Sequence, residues 1–72
     1  MSPQAFRAHL ERFAASQGDF ARFLAVDDRT VRRWAEDGGA GPPRSVALLL
    51  ALLKTYGLGL AEAAAILERD RG

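Results

Sequence analysis

Apolar residues return along this chain at intervals of three and four, the spacing of helices that each turn one face toward a core. Ser2 followed by Pro3 supplies a cap and a first-turn proline, and Phe6, Leu10 and Phe13 then predict a first helix to about Ala15. Ser16, with Asp19 three residues on, is a capping-box entry to a short second helix that carries Phe20, Phe23 and Leu24 and ends near Leu24. Asp27 is a good N-cap for a third helix, from about Asp28 to Glu36, with Val31, Trp34 and Ala35 on one face. "DGGAGPP", Asp37 to Pro43, breaks the pattern, because glycine costs backbone entropy in a helix and proline cannot continue one. A fourth helix starts at Ser45 or a neighbour and is apolar nearly all round up to Tyr56, so a central position is expected for it. It stops at Gly57, read as a left-handed C-cap. The last stretch, "LAEAAAILERDRG", predicts a fifth helix with Leu60, Ala63, Ala64 and Leu67 along one stripe and Ile66 off it. Strand-like alternation of β-branched and aromatic residues is missing, so the expected fold is all-α.

Length and composition narrow the chemistry. A chain of 72 residues is expected to form one domain, residues 1–72, and to bury only about 60% of the surface its unfolded form exposes. The absence of cysteine excludes a disulfide framework or a cysteine zinc site and is compatible with the reducing cytoplasm, where we place the chain. The N-terminus does not read as a signal peptide, and the apolar run Val46 to Leu53 falls short of the roughly 20 residues of a membrane span. No membrane association is expected. Formal charge is only +1, so any surface that attracts nucleic acid must concentrate its charge locally. Catalysis finds little material: His9 is the single histidine, at the edge of the first helix's apolar stripe, and Ser2, Ser16 and Ser45 all read as caps. We therefore expect no enzyme, no metal site, no cofactor and no small-molecule ligand. Phe6, Leu10, Phe13, Phe20, Phe23, Leu24, Trp34 and Tyr56 are assigned to the core.

The third helix carries the functional signal. On a wheel of 100° per residue with Val31 at zero, Trp34 and Ala35 fall within about 60°, while Arg29, Arg33 and Glu36 cluster on the opposite side and Arg32 lies near the edge. The face that packing leaves free thus carries arginines, whose planar fork can donate two hydrogen bonds to guanine O6 and N7 in the major groove. Read alone, the same residues also fit a solvated face on which Asp28 and Glu36 balance the arginines at spacings of three and four. What precedes them favours DNA: the few residues around Ala25 and Val26 are too short for an antiparallel hairpin, so the second and third helices must cross steeply.

The stretch "SQGDFARFLAVDDRTVRRW", Ser16 to Trp34, resembles the helix-turn-helix of the lambda repressor and Cro-like DNA-binding domains. Gln17, Ala21, Leu24, Val26, Val31 and Trp34 stand where that family has its helix-opening glutamine, its small crossing residue, its turn-flanking apolar pair and its core residues of the recognition helix. The resemblance implies a compact five-helix, lambda repressor-like domain with a helix-turn-helix over about residues 16–36. It implies that Asp28, Arg29 and Arg33 face base edges, and that Gln17 and Arg44 meet the DNA backbone, with Thr30 and Arg32 on the flanks touching phosphate or a neighbouring base. A helix N-terminus favours a phosphate near Gln17 independently of the resemblance. Three departures stand out: Ala25 replaces the family's turn glycine, Asp27 and Asp28 replace small or neutral residues, and the glycine loop before the fourth helix is long. The function expected is sequence-specific binding of double-stranded DNA by a transcriptional regulator, repressor-like in occupying an operator. The alternative is a non-enzymatic helical module, antitoxin-like or adaptor, that binds protein. Leu58 and Ile66 offer apolar contacts for a homodimer, which would suit a palindromic site.

Overall fold

The structure, a computed structural model, describes residues 1–71. Five helices account for most of the chain: α1 (Pro3–Arg12), α2 (Gln17–Leu24), α3 (Asp28–Ala35), α4 (Arg44–Thr55) and α5 (Leu60–Asp70). The described residues form no strand. Ser2 Oγ accepts from the Ala5 N–H at 3.1 Å, and Pro3 opens α1. The box that opens α2 is reciprocal: Ser16 Oγ accepts from the Asp19 N–H and Asp19 Oδ2 accepts from the Ser16 N–H, both at 3.0 Å. Ser45 does not cap α4, because Pro43 takes the N-cap position and makes no side-chain cap hydrogen bond.

Three helices close in the same way. After α1, α2 and α4, a left-handed residue (Ala14, Ala25 and Gly57) lets the next N–H reach back to the carbonyl five residues earlier, at 3.0, 3.0 and 2.8 Å. Gly57 fits the reading of the chain, whereas α1 ends at Arg12 rather than near Ala15. The physical reason is Ser16: its extended backbone, ψ 167°, starts a new helix, and the turn at Ala14 must come first. A left-handed alanine costs about 1–2 kcal/mol, which glycine avoids at roughly 0.5–1 kcal/mol of extra unfolded-state freedom. Ala25→Gly is therefore expected to raise the melting temperature by roughly 2–8 °C, read by circular dichroism. A lower midpoint would mean that the turn is not left-handed in solution.

Phe6 and Leu10 from α1, Phe20 and Ala21 from α2, Val31 and Ala35 from α3, and Val46 and Leu50 from α4 make the buried core. The Phe6 ring meets Phe20 edge-on at 5.6 Å and Trp34 at 5.9 Å, while Phe13, Phe23, Leu24, Trp34 and Leu60 seal its edges. The closest interhelical packing joins α2 to α3 and α1 to α3. Three expectations need correction. Tyr56 is 72% exposed rather than core, and α4 is not enclosed, since Leu48 and Leu52 face outward. The fifth helix buries no residue, and Leu67, expected on its buried stripe, is 59% exposed. The cause is geometric: α4 and α5 meet at a bend of 107°, so only the start of α5, at Leu60, packs against the core. No single described helix is long and apolar enough to cross a membrane.

His9 is half-buried on α1, and its Nδ1 is enclosed without a hydrogen-bond partner. Burial, then the positive charges of Arg12 and Lys54, hold its pKa below the usual 6.5. Between the folded pKa and 6.5 the unfolded chain binds the proton and the folded chain does not, so stability is full above pH 6.5 and falls as pH drops through the folded value. His9→Leu removes both the titration and the orphaned nitrogen. It is expected to gain about 1 kcal/mol at neutral pH and to lose the pH dependence that begins below 6.5, measured by urea titration at stepped pH.

Candidate nucleic-acid interface

The start of α3 is set by Asp27, whose Oδ1 accepts from the Arg29 N–H at 2.8 Å. With that start fixed, Val31 and Ala35 enter the core and Trp34 lies half-buried over Phe6. Asp28, Arg29, Arg32, Arg33 and Glu36 are left exposed, and Thr30 is half-buried. Among the described residues no ion pair engages Arg29, Arg32 or Arg33, although Asp28 and Glu36 stand at helical spacings from them. Arg7, Arg22 and Arg71, by contrast, each hold a carboxylate. The acid at the head of α3 and the arginines in its last turn also run with the helix dipole, so they stabilise the helix as well as charging its surface.

The far end of α3 is held by a residue that the sequence does not single out. Arg7 of α1 donates from its guanidinium to the Ala35 carbonyl and pairs with Asp37 at 2.9 Å. It thereby satisfies a terminal carbonyl of α3 and ties it to α1. With Val26 N–H bonded back to Ala21 at the other end, α3 is fixed at both ends against the two helices it packs on. The following loop is equally constrained: Gly41, at φ +79°, passes so close to the Met1 carbonyl that a Cβ would overlap it.

The remaining candidates lie off α3. Gln17 is the first residue of α2, half-buried, beside the Ser16–Asp19 box. That box leaves the Gln17 and Gly18 N–H groups at the head of α2 without a partner among the described residues. It also places a carboxylate there. The backbone hydrogen bond from Ser16, followed by the one from its hydroxyl, holds the Asp19 pKa below the usual carboxylate value, and Arg22 pairs with it at 2.5 Å. A phosphate approaching Gln17 therefore meets two free amides, an arginine and a charged aspartate. Arg44 is exposed at the first position of α4, and no hydrogen bond or ion pair joins it to α2 or α3. The structure thus brings Asp28, Arg29, Thr30, Arg32 and Arg33 onto one short helix, sets Gln17 on the helix packed against it, and leaves Arg44 on a separate element. The described residues hold no group of three or more His, Asp or Glu side chains able to grip a metal ion. Compared with known proteins, the chain matches no family model, no curated protein and no solved structure.

Proposed function

We propose that this chain binds double-stranded DNA sequence-selectively, as a helix-turn-helix transcriptional regulator of the lambda repressor and Cro-like kind that acts by occupying its site. The observation that carries the reading is the exposed face of α3, where Arg29, Arg32 and Arg33 pair with no carboxylate among the described residues. An α-helix fits the major groove, and a rigidly held helix brings arginine forks to base edges at low entropic cost. Two further features support it. The αL turn at Ala25 joins two eight-residue helices through a short connection, and α2 offers its free N-terminal amides to the backbone. In this reading Asp28, Arg29 and Arg33 read bases, and Gln17, Thr30, Arg32 and Arg44 contact the backbone.

Selection from a random duplex pool at moderate salt, followed by titration of the recovered site at rising salt, tests the proposal. A recovered consensus whose affinity falls linearly in log–log coordinates with salt is the expected result. Failure of every duplex, selected or random, to bind at low salt overturns it and leaves protein recognition as the better account of the same scaffold.

A further inference from the structure

We infer that the cleft between α1 and α4 lined by His9, Arg12 and Lys54 binds a small dianionic oxyanion of the sulfate or phosphate class. The site uses none of the α3 residues and does not rest on the DNA reading. His9 and Arg12 come from the last turn of α1 and Lys54 from the last turn of α4, and Ala5 and Ala8 complete the cleft. Two alanines in the wall leave room that longer side chains would fill. The space is about 190 Å³. It holds roughly six waters and falls below the roughly 300 Å³ at which pockets for organic ligands begin, so size selects a small ion.

The donors are free and held in place. Among the described residues neither Arg12 nor Lys54 pairs with a carboxylate, although the chain carries 9 acidic residues to 10 basic ones. Glu11, the acid beside Arg12 in sequence, lines a different cleft with Arg7. Arg12 Cζ lies 4.3 Å from the centroid of the Phe13 ring. That contact fixes the guanidinium by its face and leaves the N–H donors at its edge for a ligand. His9 contributes through one nitrogen. Its Nδ1 is enclosed without a partner, and a proton there would be a buried donor with no acceptor, so the neutral ring carries its proton on Nε2. A ligand in the cleft therefore meets Nε2–H, a donor in both charge states of the ring.

Charge completes the match. Burial first, and then Arg12 of α1 and Lys54 of α4, the charged groups that face His9, disfavour the imidazolium. An anion lying among the three groups reverses the electrostatic part. It stabilises the imidazolium and raises the His9 pKa, so it is itself bound more tightly as pH falls through that value. The carbonyl ends of both helices offset some of the positive charge, and a dissociation constant on the order of millimolar is expected.

His9 is the single histidine, so its ring resonances report on the site directly by NMR. Sodium sulfate keeps both charges across about pH 5 to 8, where the ring titrates, and is compared with sodium chloride at equal ionic strength. Sulfate is expected to shift the resonances saturably and to raise the His9 pKa. It should bind at least about fivefold more tightly below that pKa than above it, the effect of one added charge at contact distance in water. Arg12→Gln and Lys54→Gln, both at exposed positions, should each weaken sulfate binding at least about fivefold while the far-ultraviolet spectrum stays that of the parent. His9→Gln, with a donor but no titrating charge, should bind with no pH dependence. A phosphate of bound DNA has the same chemistry, so a random duplex is titrated separately: resonances that move with sulfate and not with duplex assign the cleft to a free ion. Shifts that chloride reproduces, sulfate binding untouched in both exposed-site variants, or duplex that moves His9 as sulfate does overturns the inference.

Discussion

Phe6→Ala is expected to leave no cooperative unfolding transition at 25 °C. The Phe6 side chain is fully buried, and its ring is the shared contact of three helices, edge-on to Phe20 of α2 and to Trp34 of α3. Truncating a buried phenylalanine costs about 3–5 kcal/mol, through lost transfer energy and the cavity left behind. A single core in a domain this small rarely supplies more than about 3–5 kcal/mol in total, so the two quantities nearly cancel. Trp34 fluorescence is the direct readout, since its ring loses the Phe6 face. A melt within a few degrees of the parent would show that the core does not rest on this residue. Tyr56→Ala is the matched control. Hydrophobicity alone puts both aromatics in the core, yet at 72% exposure Tyr56 should change stability by no more than about 0.5 kcal/mol in the monomer.

That contrast marks what the sequence can convey. Helix starts are written locally, in Ser2, in Ser16 with Asp19 and in Asp27, because a cap is made by side chains within three residues of the amides they serve. Once Asp27 sets the start of α3, the phase of Val31 and Ala35 determines which side chains remain outside, so the exposed set of arginines was legible before any coordinates. The end of α1 was not, because alanine carries no stop signal and Ala14 turns only to serve the cap that follows. Nor was Arg7, whose contact with the Ala35 carbonyl spans 28 residues of sequence and depends on how α1 lies against α3. Composition shows that α4 and α5 are apolar but not what covers them. Spacing alone puts Tyr56 in the core and Leu67 on a buried stripe, because the 107° bend that turns α5 away from the core leaves no mark in that spacing. The relation of Arg44 to α3 hangs on the loop from Gly38 to Pro43, whose path follows from positive φ at Gly38 and Gly41 and from contact with Met1.

Arg33→Ala and Arg29→Ala are each expected to weaken binding to the selected duplex by about 1–3 kcal/mol, roughly 5- to 150-fold, and to relax base preference at one position of the site. Their binding to random duplex should change much less, because a base contact adds nothing where the base is wrong. Arg32→Ala and Arg44→Ala should weaken both duplexes alike and lower the salt slope by about 1 each, the signature of a lost phosphate contact. Asp28 separates two roles for the acid at the head of α3. It is exposed, its neighbour Asp27 already caps the helix, and no basic group among the described residues pairs with it. If Asp28 accepts from cytosine N4, Asp28→Asn loses preference at a single position with little change on random duplex. If it only repels phosphate, the same substitution tightens binding to every duplex and leaves the consensus intact. Fluorescence anisotropy with the selected duplex and a scrambled one, at two salt concentrations, resolves all five variants. Equal losses on both duplexes for Arg29→Ala and Arg33→Ala would remove base reading from α3 and reduce its arginines to a charged handle on the backbone.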